Sequence, residues 1–423
     1  MKTQLKAALG FAMATLCVQA QSNLPTSEEM WKIIQKQQKE IKSLRQAVQG
    51  NKKAVTATQK EVAATADALE GVALGESGGV SWTDKTSLGG YGELHYNIKQ
   101  AGDDKIDFHR FVLFINHDFS DNVSLFSEVE IEHTYAGGDE PGYVELEQAY
   151  IEHRLNDQWS YQAGLFLVPV GILNETHEPD TFFGVERNNV EKYIIPTTWW
   201  EGGVKVTFRP KPGVSIEGGL ISGLDVVDST TTTTLTQNSD NVTIDSNSVT
   251  TNEFGYFRGG RQKVASALAN NWASVARVKF TAIPGLELAG TVFYQNDLVQ
   301  SETYDQSGLL TSIHAVYQKD GFGLRALYAG WDVSGDDLDE DAKDQSGIYI
   351  EPSYKWNIGD TPYSIGVYAR YSDLKYFKGT LSEKEYLEYG VSFYPAESVV
   401  FKADLVAEKD GDDTINLGVG YQF

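Results

Sequence analysis

The C-terminal end of the chain alternates apolar residues with polar or small ones at a period of two. Ile415, Leu417, Val419, Tyr421 and Phe423 are apolar, and the residues between them are Asn, Gly, Gly and Gln. Because successive side chains of a β-strand point to opposite faces, this alternation predicts a strand with one apolar and one polar face. The same alternation recurs in seven further segments, 109–119, 123–133, 202–209, 274–282, 362–371, 385–394 and 399–407.

The connections between these segments alternate between short and long. Short turns such as Asn156-Asp157 and Pro284-Gly285 are followed by long connections, of which 169–199 and 224–271 are the longest. An open sheet edge in lipid would leave backbone groups without hydrogen-bond partners, so only a closed barrel is stable there. An even number of strands, about sixteen, with this loop rhythm is typical of bacterial outer-membrane barrels.

The expected fold class is therefore all-β, a 16-stranded antiparallel transmembrane β-barrel over residues 88–423, preceded by an α-helical coiled-coil segment. A soluble array of β-sandwiches is the alternative, against which the loop rhythm and the terminal Phe423 count. Aromatic residues near the strand ends predict the girdles that such barrels place at the two lipid interfaces. They are Tyr91, Phe119, Trp159, Trp199, Trp200, Phe208, Trp272, Trp331, Trp356, Tyr371, Tyr394 and Phe423.

Charge and cysteine content exclude several classes of protein. The net charge of −24 offers no cationic stripe to phosphate, so a nucleic-acid partner is not expected. A single cysteine excludes a disulfide scaffold. After the first twenty residues no stretch of about 18 apolar residues occurs, which excludes a helical membrane protein.

Residues 1–20 have the pattern of a secretory signal peptide. Lys2 and Lys6 precede an apolar stretch from Ala7 to Val18, and small residues surround a cut before Gln21. A lipoprotein signal is the alternative, against which the large Leu16 before Cys17 counts. The expected location is the bacterial outer membrane, reached through a cleaved signal peptide.

Residues 27–70 have the heptad pattern of a coiled coil. Apolar residues recur at steps of seven, whereas the positions three residues on are mostly polar. The repeating apolar residues are Ile34, Ile41, Val48, Val55, Val62 and Leu69. We interpret this as a trimeric periplasmic coiled coil followed by a flexible linker over 71–87. A single amphipathic helix lying on another surface is the alternative.

Charged residues on the polar side of the predicted strands are candidates to line the barrel interior. The basic candidates are Arg110, Arg154, Lys205, Arg209, Arg277, Lys279, Arg325, Lys355, Arg370 and Lys402. The acidic candidates are Glu128, Glu130, Glu132, Glu152, Glu217, Glu287, Glu351, Glu388 and Asp404. Such a balanced, charged interior indicates an aqueous lumen rather than a packed core.

The remaining acidity lies in the loops and turns, notably 225–253 and 332–344. We interpret these runs as solvated faces. A divalent-cation bridge to lipopolysaccharide or an electrostatic filter at the mouth is the alternative.

The long connection 169–199 combines apolar residues with charges and is bounded by prolines. We expect it to fold into the barrel as a constriction, with its apolar residues against the wall and its charges in the pore. The candidate pore-facing residues are Glu175, His177, Glu178, Asp180, Glu186, Arg187 and Lys192. A hydrolase with a metal bound by Glu175, His177, Glu178 and Asp180 is the alternative, against which the lack of a second nearby His counts. We therefore expect no enzyme activity, no catalytic residue, no cofactor and no metal.

Three stretches resemble those of a known family. They are GGYGELHY over 89–96, LEQAYI over 146–151 and the run GLFLVPVGILNETHEPDTFFGVERNNVEKYIIPTTWWEGGV over 164–204. With them, most of 88–423 resembles a bacterial porin of the phosphate-selective (O and P type) superfamily. The resemblance implies a sixteen-stranded trimeric porin with an inward loop.

In the phosphate-selective members of this superfamily, a ladder of lumenal arginines and a lysine cluster determine anion choice. Seven arginines are candidates for such a ladder here, although interleaved glutamates depart from the pattern. These are Arg110, Arg154, Arg187, Arg209, Arg277, Arg325 and Arg370.

The sequence thus predicts an outer-membrane porin for passive diffusion of small hydrophilic solutes and ions, among them anions such as phosphate. Expected partners are outer-membrane lipid and lipopolysaccharide, two further copies of the chain in a homotrimer, and a periplasmic or peptidoglycan contact. A structural tether, reaching a periplasmic partner or peptidoglycan through the coiled coil, is the alternative function.

Overall fold

The computed structural model describes residues 82–135, 141–234, 247–254, 256–300, 305–335 and 338–423. The predicted signal peptide, the predicted coiled coil and residues 71–81 of the predicted linker lie outside these ranges. Short helical segments are a 3₁₀ turn at Trp82–Lys85, α1 at Val190–Tyr193 and α2 at Glu340–Lys343. Among the described residues, no helix is long and apolar enough to cross a membrane.

The strands are longer than predicted at several positions. In chain order they are β1 Thr86–Lys99, β2 Lys105–Ser120, β3 Val123–Glu132, β4 Tyr143–Arg154, β5 Trp159–Leu167, β6 Trp200–Lys211, β7 Val214–Ile221, β8 Val227–Thr234, β9 Asn247–Phe254, β10 Ala273–Phe280, β11 Leu286–Gln295, β12 Gln306–Lys319, β13 Phe322–Gly335, β14 Asp344–Asn357, β15 Ser364–Phe377, β16 Leu381–Ala396, β17 Val399–Glu408 and β18 Thr414–Gln422.

Sixteen of the described strands form one closed antiparallel barrel. Each strand pairs with its neighbour in the chain, and β1 pairs with β18 to close the sheet. The exception is the pairing of β7 with β10, because β8 and β9 form a separate hairpin in the connection between them. The prediction of an all-β, 16-stranded barrel is confirmed, whereas the β8–β9 hairpin within 224–271 was not predicted.

The two faces of the barrel differ in polarity, as the alternation requires. Many of the exposed large apolar side chains lie on one parity of the strands, and they include Val204, Val206, Leu220, Val278, Val292, Ile313, Ile348, Ile350, Leu387, Phe401 and Leu417. The opposite parity carries charged side chains that are buried inside the barrel, for example Arg110, Lys205, Arg277, Glu351 and Arg370. An apolar exterior around a polar interior is the reverse of a soluble protein's pattern.

Short turns and long connections lie at opposite ends of the barrel. The turns after β10 and β12 place Gly285 and Gly321 at φ of 81° and 86°, where residues with a Cβ are strained. Both termini of the barrel are at the short-turn end, where Gly90 and Phe423 exchange two backbone hydrogen bonds of 2.9 and 2.8 Å. This exchange seals the barrel between β1 and β18.

Five of the twelve predicted girdle aromatics are buried instead of exposed. Tyr91, Trp199, Trp200, Trp331 and Tyr394 are buried, whereas Phe119, Trp159, Trp272, Tyr371 and Phe423 are exposed as girdle residues should be. Position near a strand end does not determine which face a side chain occupies. Tyr91 shares the inward parity of Glu93, and Trp199 belongs to a connection that enters the barrel.

Candidate pore constriction

Residues 168–199, which connect β5 to β6, form the segment that we call the constriction segment. Its two ends are held together by a 3.0 Å hydrogen bond from Val168 N to Trp199 O. The Asn174 side chain donates to Val168 O and Trp199 O at 2.8 and 2.9 Å, and its oxygen accepts from Trp199 N at 2.8 Å. The buried side-chain amide of Asn174 therefore holds together the two ends of the segment, next to the end of β5 and the start of β6.

The buried carboxylate of Glu191, in α1, organises the middle of the segment. Its Oε2 accepts from the backbone N–H groups of Ile172 and Leu173 at 2.7 and 2.6 Å. Its Oε1 accepts from the hydroxyl of Tyr349, on β14, at 2.7 Å. A buried carboxylate is stable only when its oxygens are hydrogen-bonded, and these three donors satisfy it.

Apolar residues of the segment pack against glycines of the barrel wall. A Cβ at Gly366 would lie 2.6 Å from Phe183, and a Cβ at Gly418 would lie 2.9 Å from Val185. Gly347 faces Val190 and Ile194 in the same way. The glycines on β14, β15 and β18 thus give the segment room to lie flat on the wall.

The segment contacts the wall around most of the barrel circumference. Five side chains of the wall donate hydrogen bonds to its backbone carbonyls, namely Arg110 to His177 (2.7 Å), Thr291 to Pro169 (3.0 Å), Arg325 to Thr181 (2.5 Å), Trp331 to Ile194 (2.8 Å) and Lys402 to Gly184 (2.8 Å). These donors belong to β2, β11, β13 and β17, with β13 supplying two of them. The segment therefore lies within the barrel and narrows its interior.

The predicted pore-facing residues of the segment have different surroundings. Glu175 pairs with Arg277 of β10, and His177 is buried against β3 and β4. Glu178, Asp180, Arg187 and Lys192 are partly exposed within the barrel. Arg187 donates to the hydroxyl of Thr198 at 2.7 Å.

The side chain of Glu186 is 41% exposed, and it faces β1. Its Oε1 lies 3.0 Å from His95 Nδ1 and accepts from Asn97 at 3.0 Å. Burial alone would raise the pKa of Glu186, but the hydrogen bond and charge of His95 lower it to about 2. Glu186 is therefore an anion at neutral pH.

Nine of the nineteen predicted lining charges of the wall are paired with opposite charges. A glutamate lies directly opposite an arginine on the neighbouring strand in four cases, Glu93–Arg110, Glu217–Arg277, Glu351–Arg325 and Glu388–Arg370. Glu287 lies near both Lys279 and His314. The arginines therefore do not form the uninterrupted ladder that a phosphate-selective pattern would require.

The other predicted lining residues lie at the ends of strands or near the segment. Arg154 and Arg209 are exposed at the short-turn end, so they stand at the rim rather than midway along the interior. Lys205 is buried beside Phe166, and Lys355 lies 3.5 Å from the centre of the Tyr394 ring. Glu128 and Glu130 are buried, Glu132 and Glu152 are partly exposed, and Asp404 accepts from the Val185 N–H at 2.6 Å.

Several residues of the site were missed by sequence reasoning. Glu147 was not among the predicted lining residues, because strict alternation from Glu152 gives it the opposite parity, yet it is buried inside. A β-bulge explains the difference, since Glu128 pairs with Gln148 and Val129 pairs with Leu146, which leaves Glu147 as the extra residue. Glu191 was missed because nothing in the sequence distinguishes a carboxylate that caps backbone N–H groups.

A group of cations lies beside the constriction segment at its β6 end. Arg258 and Arg261 donate to backbone carbonyls of residues 196–198, and Lys192 lies near them. Burial, together with the charges of Arg258 and Arg187, lowers the pKa of Lys192 against the opposing influence of Glu186. In the part of the chain that the structure describes, Arg187, Lys192, Arg258 and Arg261 form no ion pair within 4.0 Å. Carboxylates act on them from farther away, as Glu186 does on Lys192.

Comparisons with known proteins support the fold. No family model matches the chain. An uncharacterised protein of Aquifex aeolicus is 28% identical to it over 376 residues, a region that covers 80% of each protein.

Solved structures of outer-membrane proteins have a similar fold. Salmonella typhi OmpF, in complex with daunomycin, has a TM-score of 0.52 at 14% identity, covering 80% of this chain and 97% of that chain. Pseudomonas putida OprB has a TM-score of 0.51 at 12% identity, covering 81% and 95%. Vibrio cholerae OmpT in its trimer form has a TM-score of 0.50 at 12% identity, covering 80% and 99%. At these identities the likeness establishes the porin-like barrel fold alone.

Proposed function

We propose that this protein is an outer-membrane channel for passive diffusion of small hydrophilic solutes and ions. The observation that carries the proposal is a closed sixteen-stranded barrel that is apolar outside and charged inside. Barrels of this strand number are wide enough for an aqueous channel unless they are filled. The constriction segment narrows the interior and would set the size limit for solutes.

The location and assembly follow from the same proposal. The predicted signal peptide and the fold shared with outer-membrane proteins support a place in the bacterial outer membrane. One of those proteins, Vibrio cholerae OmpT, is described as a trimer form, which supports a homotrimer for this chain. Lipid would cover the apolar exterior, and lipopolysaccharide would surround the long-loop end. No catalytic step is part of this function.

The charge distribution supports a preference for anions. Opposite charges on neighbouring wall strands cancel at short range, so they contribute little field along the pore. Arg187, Lys192, Arg258 and Arg261 form no ion pair within 4.0 Å among the described residues, whereas Glu186 of the same segment is paired with His95. A passing anion would therefore experience the charge of these four cations. Small inorganic anions, phosphate among them, are therefore the preferred solutes in our proposal, in line with the resemblance to phosphate-selective porins.

Reversal potentials in planar bilayers test the proposal. Purified full-length protein should give discrete conductance steps. In a salt gradient its reversal potential should have the sign of an anion-selective channel. Lys192→Glu should shift that potential toward cations. Lys211→Glu is the matched control, because Lys211 is exposed at the short-turn end of β6 and should leave the potential unchanged. Equal potentials in all three proteins would reject the assigned role of the constriction segment.

A tethering role through residues 27–70 is a second proposal, supported by the heptad repeat of Ile34, Ile41 and Val48. A trimeric helix of this length would reach roughly 60 Å into the periplasm. Cross-linking to peptidoglycan in cells tests the tether. Planar bilayers test the channel, because a protein that is only a tether would give no conductance in them.

A further inference from the structure

Three potential metal ligands meet between the constriction segment and the barrel wall. Glu128 of β3, Glu147 of β4 and His177 of the segment are 1%, 2% and 2% exposed. Each offers one ligand atom, and these atoms all lie within 4.8 Å of one another. The cluster therefore joins two adjacent wall strands to a residue distant from both in sequence.

The β-bulge on β4 creates this cluster. A regular strand would point Glu147 and Gln148 to opposite faces. With Glu147 as the extra residue, both side chains are buried on the inner side of the barrel. Bulges that re-aim a side chain are common beside functional sites.

Four buried polar atoms at the cluster have no hydrogen-bond partner among the residues that the structure describes. They are Glu130 Oε2, Glu147 Oε2 and both ring nitrogens of His177. Buried polar groups are almost always hydrogen-bonded, so orphaned atoms that face one another indicate an unaccounted-for ligand. Arg110, a cation beside them, is already engaged with Glu93 at 2.6 Å.

The spacing of the cluster fits a metal ion better than a hydrogen bond. His177 Nε2 lies 3.6 Å from Glu128 Oε1 and 3.5 Å from Glu147 Oε2. Two ligands at the usual Zn–N and Zn–O lengths around a tetrahedral ion are separated by about 3.4 Å. Both contacts are too long for a hydrogen bond and close to this separation.

Neighbouring groups orient the ligands in the way that metal sites require. Glu128 accepts from the Tyr91 hydroxyl at 3.1 Å and from the Gln148 amide at 2.6 Å. Arg110 donates to the backbone carbonyl of His177 at 2.7 Å. Such hydrogen bonds hold ligand side chains in place before the ion arrives.

We propose that Glu128, Glu147 and His177 bind a divalent transition-metal ion, with Zn²⁺ as the ion that best suits one imidazole and two carboxylates. Three protein ligands leave a coordination position open. Glu128 and His177 also line a cavity of about 220 Å³, which gives space for a water ligand. The site goes beyond the channel function, because it ties the constriction segment to β3 and β4 whatever passes through the pore.

Direct binding of Zn²⁺ tests the site independently of conduction. The full-length protein in detergent is stripped with a chelator, titrated with Zn²⁺ by calorimetry, and analysed for metal by mass spectrometry after gel filtration. We expect one tightly held Zn²⁺ per chain. His177→Ala and Glu147→Gln should each weaken its binding at least about 10-fold.

His314→Ala is the matched control, because His314 is also buried in the barrel and contacts a single carboxylate, Glu287, at 3.1 Å. It should bind Zn²⁺ as the wild type does. X-ray absorption of the wild-type Zn²⁺ complex should show one nitrogen donor with oxygen donors, a readout that does not require the variants to fold. The proposal would be overturned if the wild type failed to retain Zn²⁺, or if both variants bound it with unchanged affinity. A protonated His177 or a water molecule would then account for the cluster.

Discussion

The Tyr349 hydroxyl donates a 2.7 Å hydrogen bond to Oε1 of Glu191, and both side chains are fully enclosed in the barrel. Tyr349 belongs to the wall strand β14, whereas Glu191 belongs to the constriction segment. The other oxygen of the same carboxylate accepts from the N–H groups of Ile172 and Leu173. One carboxylate therefore holds the segment in its own fold and holds it to the wall.

Tyr349→Phe should loosen the constriction segment. The substitution removes one donor from a buried carboxylate at little change of volume, which typically costs about 1–3 kcal/mol. We expect a lower thermal unfolding midpoint in detergent and faster trypsin cleavage at Arg187 and Lys192. Tyr354→Phe, on the exposed outer face of the same strand, is the control and should leave both measurements unchanged. Identical behaviour of the two variants would show that the hydrogen bond does not hold the segment.

Gly420→Ala should displace the segment from β18. A Cβ at Gly420 would lie 2.4 Å from Cβ of Pro179 and 2.8 Å from its Cγ, and a proline ring has little freedom to move away. We expect faster proteolysis within the segment while the barrel still forms. Gly290→Ala is the matched control on β11, since a Cβ there meets no atom within 4 Å. Equal protease resistance in both variants would place Pro179 away from the wall.

The fold was largely predictable from the sequence, because the alternation of polarity shows which face of each strand contacts water and which contacts lipid. Strand number and loop rhythm followed from the same signal. The β8–β9 hairpin was not predicted, because a run of threonines has no alternation of polarity. Tyr91 and Trp199 were assigned to the lipid interfaces, since sequence gives their distance from a strand end but not the path of the chain into the barrel.

The candidate site was less predictable, because its decisive features depend on tertiary contacts. Strict alternation predicted Glu128 inside but gave no reason to include Glu147, because only the pairing of β3 with β4 reveals the bulge. The sequence grouped His177 with Glu175, Glu178 and Asp180, its neighbours in the chain. In the fold, His177 faces Glu128 and Glu147, which are thirty or more positions away.

The constriction segment should lose stability in acid through Glu186. Its pKa falls from 4.5 to about 2 on folding, because His95, Asn97 and His109 outweigh the effect of burial. The stabilisation is therefore complete above about pH 5 and is lost as the pH falls toward 2. Lys192 and Asp404 are further charged neighbours of Glu186, and Lys192 remains protonated throughout this range.

Thermal unfolding between pH 6 and pH 2.5 measures this effect. The wild type should lose more stability over that range than Glu186→Gln, whose amide does not titrate. Glu340→Gln is the control, because Glu340 is exposed at the surface, and it should follow the wild type. Parallel curves for the wild type and Glu186→Gln would contradict the assigned contact with His95.

Removal of residues 27–70 should weaken the trimer without closing the channel. The heptad repeat would contribute to association, whereas the barrel seals itself through β1 and β18. We expect a lower temperature for dissociation of trimers on electrophoresis and unchanged conductance per barrel. Loss of membrane insertion after the truncation would show that the two parts are not independent.

Single-channel conductance tests the central claim most directly, that a hydrated barrel interior is narrowed by residues 168–199. A variant in which a short Gly-Ser turn replaces residues 174–196 keeps Val168 and Trp199, which close the base of the segment. We expect discrete conductance steps for the wild type and larger steps for this variant at the same salt concentration. A wild type that inserts without conducting, or a variant with unchanged steps, would contradict this claim.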